Sequence, residues 1–164
     1  MDWAALIVGL VALERLGELV LSHRHTKALL REGGIERGRR HYPLIVALHT
    51  AWLIAVYLAA TPGAPPLWGW IALYLVLQIA RYWVIASLGR YWTTRIITVP
   101  KAPLMQRGPY RFLRHPNYAV IALEIAVLPL AFGEASVAVV FSALNAALLA
   151  WRIRAENRVL FSRR

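Results

Sequence analysis

Gly108-Pro109-Tyr110-Arg111-Phe112-Leu113-Arg114-His115-Pro116-Asn117-Tyr118 is the stretch on which the reading of this chain turns, because within it a basic, aromatic segment passes into a long apolar run. Pro116 lacks an N–H and has a fixed φ, which suits the first turn of a helix, and a residue before proline is pushed towards extended backbone. His115 is therefore expected at the helix start as a cap-like residue, with its imidazole at a membrane–water boundary.

Outward from this junction the chain is apolar. Of 164 residues 59% are hydrophobic and the mean hydropathy is +0.51, above the roughly 45–50% apolar content of soluble domains. An integral membrane protein follows. The first apolar run has no basic region before it, carries Glu14, Arg15 and Glu18, and ends without a small-residue cleavage site, so it reads as a retained span and not as a signal peptide. The absence of cysteine excludes disulfides, thiolate nucleophiles and Cys-ligated metals, and the five histidines have no carboxylate constellation on one helix face, so no metal is expected. The net charge of +11 is best explained by loops facing anionic lipid, with no nucleic-acid partner.

The fold class is all-α integral membrane, a single domain of five spans at 3–21, 43–60, 67–88, 116–132 and 135–151, with a cap at 89–115 and a tail at 152–164. Every Lys and Arg except Arg15 and Arg81 falls in the segment after the first span, the segment after the third, or the tail. With an odd number of spans these three segments share one side, and the positive-inside rule places the N-terminus outside and the C-terminus in the cytoplasm. The cap interleaves Tyr91, Trp92, Ile96, Ile97, Val99, Leu104, Met105, Tyr110 and Phe112 with cations, the mixture of an interfacial element. Pro100, Pro103 and Pro109 exclude one continuous helix there.

The spans carry polar residues at a shared depth. Counting at 1.5 Å per residue, Glu14, His49, Arg81, Glu124 and Asn145 all lie roughly 10 Å inside the inner end of their helices. Ionisable groups at such depth cost about 2.5–3.5 kcal/mol each on insertion scales, so they must pair or line a cavity. Arg81 is expected to pair with Glu124 or Glu14, and His49, Arg81, Glu124 and Asn145 are the candidate substrate-binding residues. The alternative for each is a packing contact between helices. Glu14 and Glu18, one turn apart, need Arg15, Arg81 or another cation nearby. Arg152 and Glu156, four apart, project from one helix face; as a solvated pair they contribute only a few tenths of a kcal/mol.

Gly108-Pro109-Tyr110, then Arg114-His115-Pro116-Asn117-Tyr118, then Arg152-x-x-x-Glu156 after one more apolar hairpin, together resemble the isoprenylcysteine carboxyl methyltransferase family of membrane enzymes. Within it, Arg81-Tyr82-Trp83 through Leu88-Gly89 and Trp92-Thr93-Thr94-Arg95 look like the short bacterial branch acting on alkylpyrone, alkylresorcinol and related phenolic lipids. Two positions depart from the family pattern: Asn157 stands where a second glutamate is frequent, and Val120 where a glycine is frequent. The resemblance implies S-adenosylmethionine, yielding S-adenosylhomocysteine, enclosed by the cap. Leu104, Gly108, Tyr110, His115, Pro116, Tyr118 and Glu156 would bind it, with Arg152 and Glu156 catalytic.

A sulfonium donor with an amino-acid head needs a carboxylate, a cation or backbone N–H, and aromatic surface. Glu156, His115 or an arginine, and Tyr110 with Tyr118 are of those types. The expected activity is O-methylation of a hydrophobic acceptor, a phenolic or pyrone lipid that enters from the bilayer at the inner leaflet of a bacterial plasma membrane. A phenol or enol must lose a proton, for which Glu156, His41 and His49 are candidate bases. The alternatives are carboxyl methylation of a prenylated cysteine, an NADPH-dependent sterol-type reductase with a similar tail, and a non-catalytic scaffold or lipid-binding protein. The reductases are generally longer, and no dinucleotide glycine fingerprint is present.

Overall fold

Asp2 caps the first helix: its Oδ1 accepts a hydrogen bond from the Ala5 N–H at 3.0 Å, satisfying one of the orphan donors of a helix start. In the computed structural model, which describes residues 2–37, 41–100 and 106–161 and leaves the side chains of 41 and 155–161 undescribed, helix α1 then runs Trp3–Arg31. At 29 residues it is roughly 44 Å long and outruns the span expected at 3–21. The other helices are α2 (His41–Ala59), α3 (Trp68–Leu88), α4 (Pro116–Ala131) and α5 (Ala135–Phe161).

The segments Tyr42–Ala59, Trp68–Tyr91 and Ala135–Arg154 are long and apolar enough to cross a membrane, and they mark a membrane protein. The other two fall short for physical reasons. Glu14, Arg15 and Glu18 interrupt α1, and α4, with 16 residues, is roughly 24 Å long. At the start of α4 His115 holds the N-cap position with φ −131°, but its side chain makes no capping bond. Its carbonyl accepts from the Tyr118 and Ala119 N–H groups at 3.1 and 3.3 Å, while its ring stacks on Tyr118 at 5.4 Å. It is thus a cap by backbone position alone.

Among the described residues the cap is more structured than the sequence suggests. Strand β1 (Ile35–Arg37) pairs antiparallel with β2 (Ile96–Thr98), placing Ile35 opposite Thr98, Glu36 opposite Ile97 and Arg37 opposite Ile96. Arg95 binds Glu36 at 2.7 Å and lies over the Tyr42 ring at 4.3 Å, tying the sheet to the start of α2. Strands this short show no readable periodicity. The sheet gathers the ends of α1 and α3 and the start of α2. At the opposite end the Leu67 N–H donates to the Ala131 carbonyl at 2.7 Å and Trp3 meets Trp68 edge to face. The basic segments therefore share one end of the bundle, and the uncharged α2–α3 turn lies at the other.

The core between these ends joins Val8, Val11, Trp52, Val56, Tyr74, Leu77, Ile125, Val127 and Leu128. The Trp52 Nε1–H donates to the Ile125 carbonyl at 3.1 Å, fastening α2 to α4.

Gly108 opens a 3-10 turn, Gly108–Arg111, against α3, where a Cβ would meet Ser87 Oγ at 2.2 Å and Trp83 Nε1 at 3.0 Å, at φ +53°. Gly133, at φ +78° in the α4–α5 turn, has nothing within 4 Å of a built Cβ. Gly133→Ala is expected to cost about 1–2 kcal/mol for left-handed backbone, and Gly108→Ala about 1–3 kcal/mol more for the collision. Thermal unfolding in detergent measures the difference, and equal losses at the two sites would remove the packing contribution.

Candidate active site

The depth arithmetic brings charged groups together, and the helices complete a closed ring. Arg81 on α3 donates from Nε to Glu18 Oε1, from Nη2 to Glu18 Oε2 at 2.6 Å, and from Nη1 to Glu124 Oε2 at 3.0 Å. Arg15 donates from Nη1 to Glu18 Oε2 at 3.0 Å, and from Nη2 to Glu124 Oε1 at 3.2 Å and to the Tyr74 hydroxyl at 3.4 Å. Two cations and two anions alternate among α1, α3 and α4, with Arg81 only 5% and Glu124 only 3% exposed. The Arg81–Glu124 pair matches the expectation, but Glu18 takes the place expected of Glu14, which instead approaches Arg15 at 3.7 Å. Glu14 and Glu18 lie on one face, and Glu18, a turn or roughly 6 Å nearer the basic end, is the one level with Arg81.

Beside this ring lies a cavity of about 460 Å³, within the roughly 300–1,000 Å³ range of small-molecule sites. Its floor, at the basic end, is made by Trp92, Thr94, Tyr118 and Arg152. Its middle is bordered by Arg15, Glu18, Arg81, His49 and Asn145, and its far arm by Val8, Ala12, Leu53, Ile54 and Tyr57. From Ile45 to Tyr57 the wall contributed by α2 is roughly 18 Å long. Asn145, Leu148, Leu149 and Arg152 supply one stripe of α5 at i, i+3, i+4 and i+7.

Arg152 is the hub of the floor. Its Nε donates to the Tyr118 hydroxyl at 2.7 Å and its Nη2 to the Thr94 carbonyl at 2.7 Å, with the guanidinium 5.6 Å from the Tyr118 ring centre. The Thr94 N–H in turn donates to Ser22 Oγ at 2.9 Å, and the Trp92 carbonyl pairs with His25 Nδ1 at 2.8 Å. One short strap thereby binds α1 to α5 and to the start of α4.

The candidates from sequence distribute as follows. Arg152 and Tyr118 come together at the floor, whereas His115, stacked on Tyr118, and the buried Pro116 stand behind it and do not line the cavity. Tyr110 lies in the 3-10 turn with Gly108, whose close approach is to α3. His49, Arg81 and Asn145 border the cavity, whereas Glu124 stands behind Arg81 and is not part of the wall. Leu104 falls outside the described residues, and Glu156 is described only as backbone of α5, one turn beyond Arg152. Sequence reasoning did not place Trp92, Thr94, Ser22 or Asn117 at the site. Trp92 and Thr94 are reached only through the strap, which no periodicity reveals.

An S-adenosylmethionine donor fits the chemistry of the floor. Arg152 is a buried guanidinium whose Nη1 no described residue bonds, suited to a carboxylate, and Tyr118 with Trp92 offers aromatic surface.

The model of the isoprenylcysteine carboxyl methyltransferase (ICMT) family matches residues 70–162. The chain belongs to this family. ICMT membership makes it one of a family of membrane methyltransferases, and the matched residues span α3, the cap, α4 and α5. The chain is 38% identical over 159 residues to the uncharacterized protein YpbQ of Bacillus subtilis, covering 94% of this chain and 95% of that one. It is 28% identical over 152 residues to an uncharacterized protein of Haemophilus influenzae, covering 89% and 88% respectively. No solved structure matches the chain. The ICMT match leaves out α1 and α2, which supply Arg15, Glu18, His49 and most of the apolar arm.

Proposed function

We propose that this chain transfers a methyl group from S-adenosylmethionine to an oxygen of a hydrophobic acceptor, a phenolic or pyrone lipid drawn from the inner leaflet. The observation that carries the reading is the single cavity that joins the Arg152–Tyr118 floor to an apolar arm between α1 and α2. A bilayer-borne tail fits the arm, and a water-soluble donor fits the basic end. The proposed topology has five membrane passes, N-terminus out and C-terminus in, with the active site facing the cytoplasm of a bacterial-type plasma membrane. Its support is the gathering of the basic segments at one end.

S-adenosylmethionine supplies an electrophilic methyl group on a cationic sulfur. The residues of the chain would do the rest by position. Arg152 holds a carboxylate, Glu156 an ammonium, and Tyr118 and Trp92 an aromatic surface, with Tyr110, Gly108, His115, Pro116 and Leu104 shaping the cap. The apolar walls exclude water, so orientation and a low dielectric provide most of the acceleration.

Calorimetry in detergent tests this. S-adenosylhomocysteine is expected to bind wild type in the micromolar range and Glu156→Ala at least tenfold more weakly, with no binding of NADPH. Binding of NADPH alone would move the protein to reduction chemistry, and binding of neither would overturn the reading.

A further inference from the structure

Many polar groups on the cavity wall already have a partner, though Arg15 Nε, Trp92 Nε1 and Asn117 Oδ1 have none among the described residues. Glu18 is engaged by two arginines, Arg152 by Tyr118 and the Thr94 carbonyl, and Thr50 Oγ1 by the Val46 carbonyl. Two further side chains, His49 and Asn145, offer open polar groups in the middle of the wall. His49 donates from Nδ1 to the Ile45 carbonyl at 2.9 Å, which puts its proton on Nδ1 and a lone pair on Nε2. The ring's hydrogen bond to the described residues runs through Nδ1, and the ring borders the cavity. The ring stands edge to face against Trp52, itself anchored by the Ile125 carbonyl. Asn145, across the cavity on α5, is 2% exposed and no described residue bonds its carboxamide. A buried amide and a half-buried imidazole with its Nε2 open, bordering one apolar cavity, form a station for a ligand group that can both donate and accept.

We propose that His49 Nε2 is the general base of the transfer and that, with Asn145, it receives the acceptor oxygen as a neutral O–H of phenol or enol type. This rests on the methyltransferase reading above and narrows its acceptor. A carboxylate acceptor lacks a counter-charge here, because the positive charges of Arg15 and Arg81 are cancelled by Glu18 and Glu124. A neutral hydroxyl needs only a lone pair and an amide, which His49 and Asn145 provide. In the step, the O–H proton passes to Nε2 and the freed oxygen pair forms the new O–C bond. The S–C bond pair stays on sulfur, which leaves as a neutral thioether, and the imidazolium later returns its proton to water. His49 lies on α2, outside the family-matched residues, so this base belongs to the acceptor half of the site.

The test uses a long-chain alkyl nitrophenol, whose phenolate absorbs in the visible, in detergent without cofactor, at a pH where the free probe is half ionised. Wild type is expected to bind it and raise the phenolate band. His49→Gln and His49→Asn, the latter keeping an N–H for the Ile45 carbonyl, should lower the phenolate-to-phenol ratio of bound probe at least tenfold. Asn145→Leu should weaken probe binding about tenfold. With labelled S-adenosylmethionine, both His49 variants should lose roughly 100-fold in turnover, the deficit shrinking as the acceptor becomes more acidic. S-adenosylhomocysteine affinity, a property of the floor, should stay within twofold. A wild-type phenolate band in both variants, or a loss uniform across acceptors, overturns the base assignment and leaves the methyltransferase reading standing. Unchanged probe binding by Asn145→Leu removes Asn145 from the station. Failure of wild type to bind the probe or methylate any oxygen acceptor overturns both.

Discussion

Arg81→Ala is expected to destabilise the protein by roughly 3–5 kcal/mol, the cost of leaving buried charges unpaired. Arg81 contributes three of the five hydrogen bonds between guanidinium and carboxylate in the ring, and its removal leaves Glu18 with Arg15 alone. The carboxylates lie where water cannot replace the lost donor, at 7% exposure for Glu18 and 3% for Glu124. A compensating variant should restore the balance of charge. Arg81→Met combined with Glu124→Gln removes one charge of each sign and leaves the Arg15–Glu18 pair intact, and should recover most of the loss, because buried ion pairs are often replaceable by neutral groups of similar volume. Denaturation in detergent, followed by tryptophan fluorescence, measures both. A single variant as stable as wild type would show that the ring contributes no net stabilisation.

Arg152→Ala is expected to have the largest effect on binding. Two charge-assisted hydrogen bonds are lost, to the Tyr118 hydroxyl and the Thr94 carbonyl. Those bonds hold the guanidinium in place, and its Nη1 is the group left for a ligand carboxylate; at about 1.5–3 kcal/mol for one charged hydrogen bond, its removal is expected to weaken S-adenosylhomocysteine binding roughly ten- to a hundredfold. Arg152→Lys should not restore it, since one ammonium cannot reproduce a planar fork reaching two acceptors. Tyr118→Phe keeps the ring and removes the hydroxyl, so a double-mutant cycle with Arg152→Ala isolates that contact. A coupling of about 0.5–3 kcal/mol is expected for touching residues, and none would mean that the two act separately.

Much of this architecture can be read from residue order, and the exceptions have physical causes. Hydropathy locates the helices because each must cover its backbone with apolar side chains, and Pro116 marks the start of α4 because proline tolerates only that place. Depth counting finds Arg81, Glu124, His49 and Asn145 as one layer, since helical rise is nearly constant. It is good to about one turn, which is why Glu18, four residues beyond Glu14 on the same face, is the one that meets Arg81. The β1–β2 pair and the Ser22–Thr94–Arg152 strap stay hidden because they depend on groups more than 50 residues apart. His115 illustrates the same limit: its backbone position follows from Pro116, but the stacking of its ring on Tyr118 depends on a contact that no local rule supplies.

The strap that closes the cavity floor has a consequence for the order in which the protein is made. Thr94 is held between Ser22, near the beginning of the chain, and Arg152, near its end. A nascent chain can insert α1 to α4 and pair β1 with β2, yet the floor still lacks one wall until α5 has left the ribosome and packed against α2 and α4. Closure of that cavity therefore waits for α5, and a chain cut short before Arg152 would leave its floor open to water.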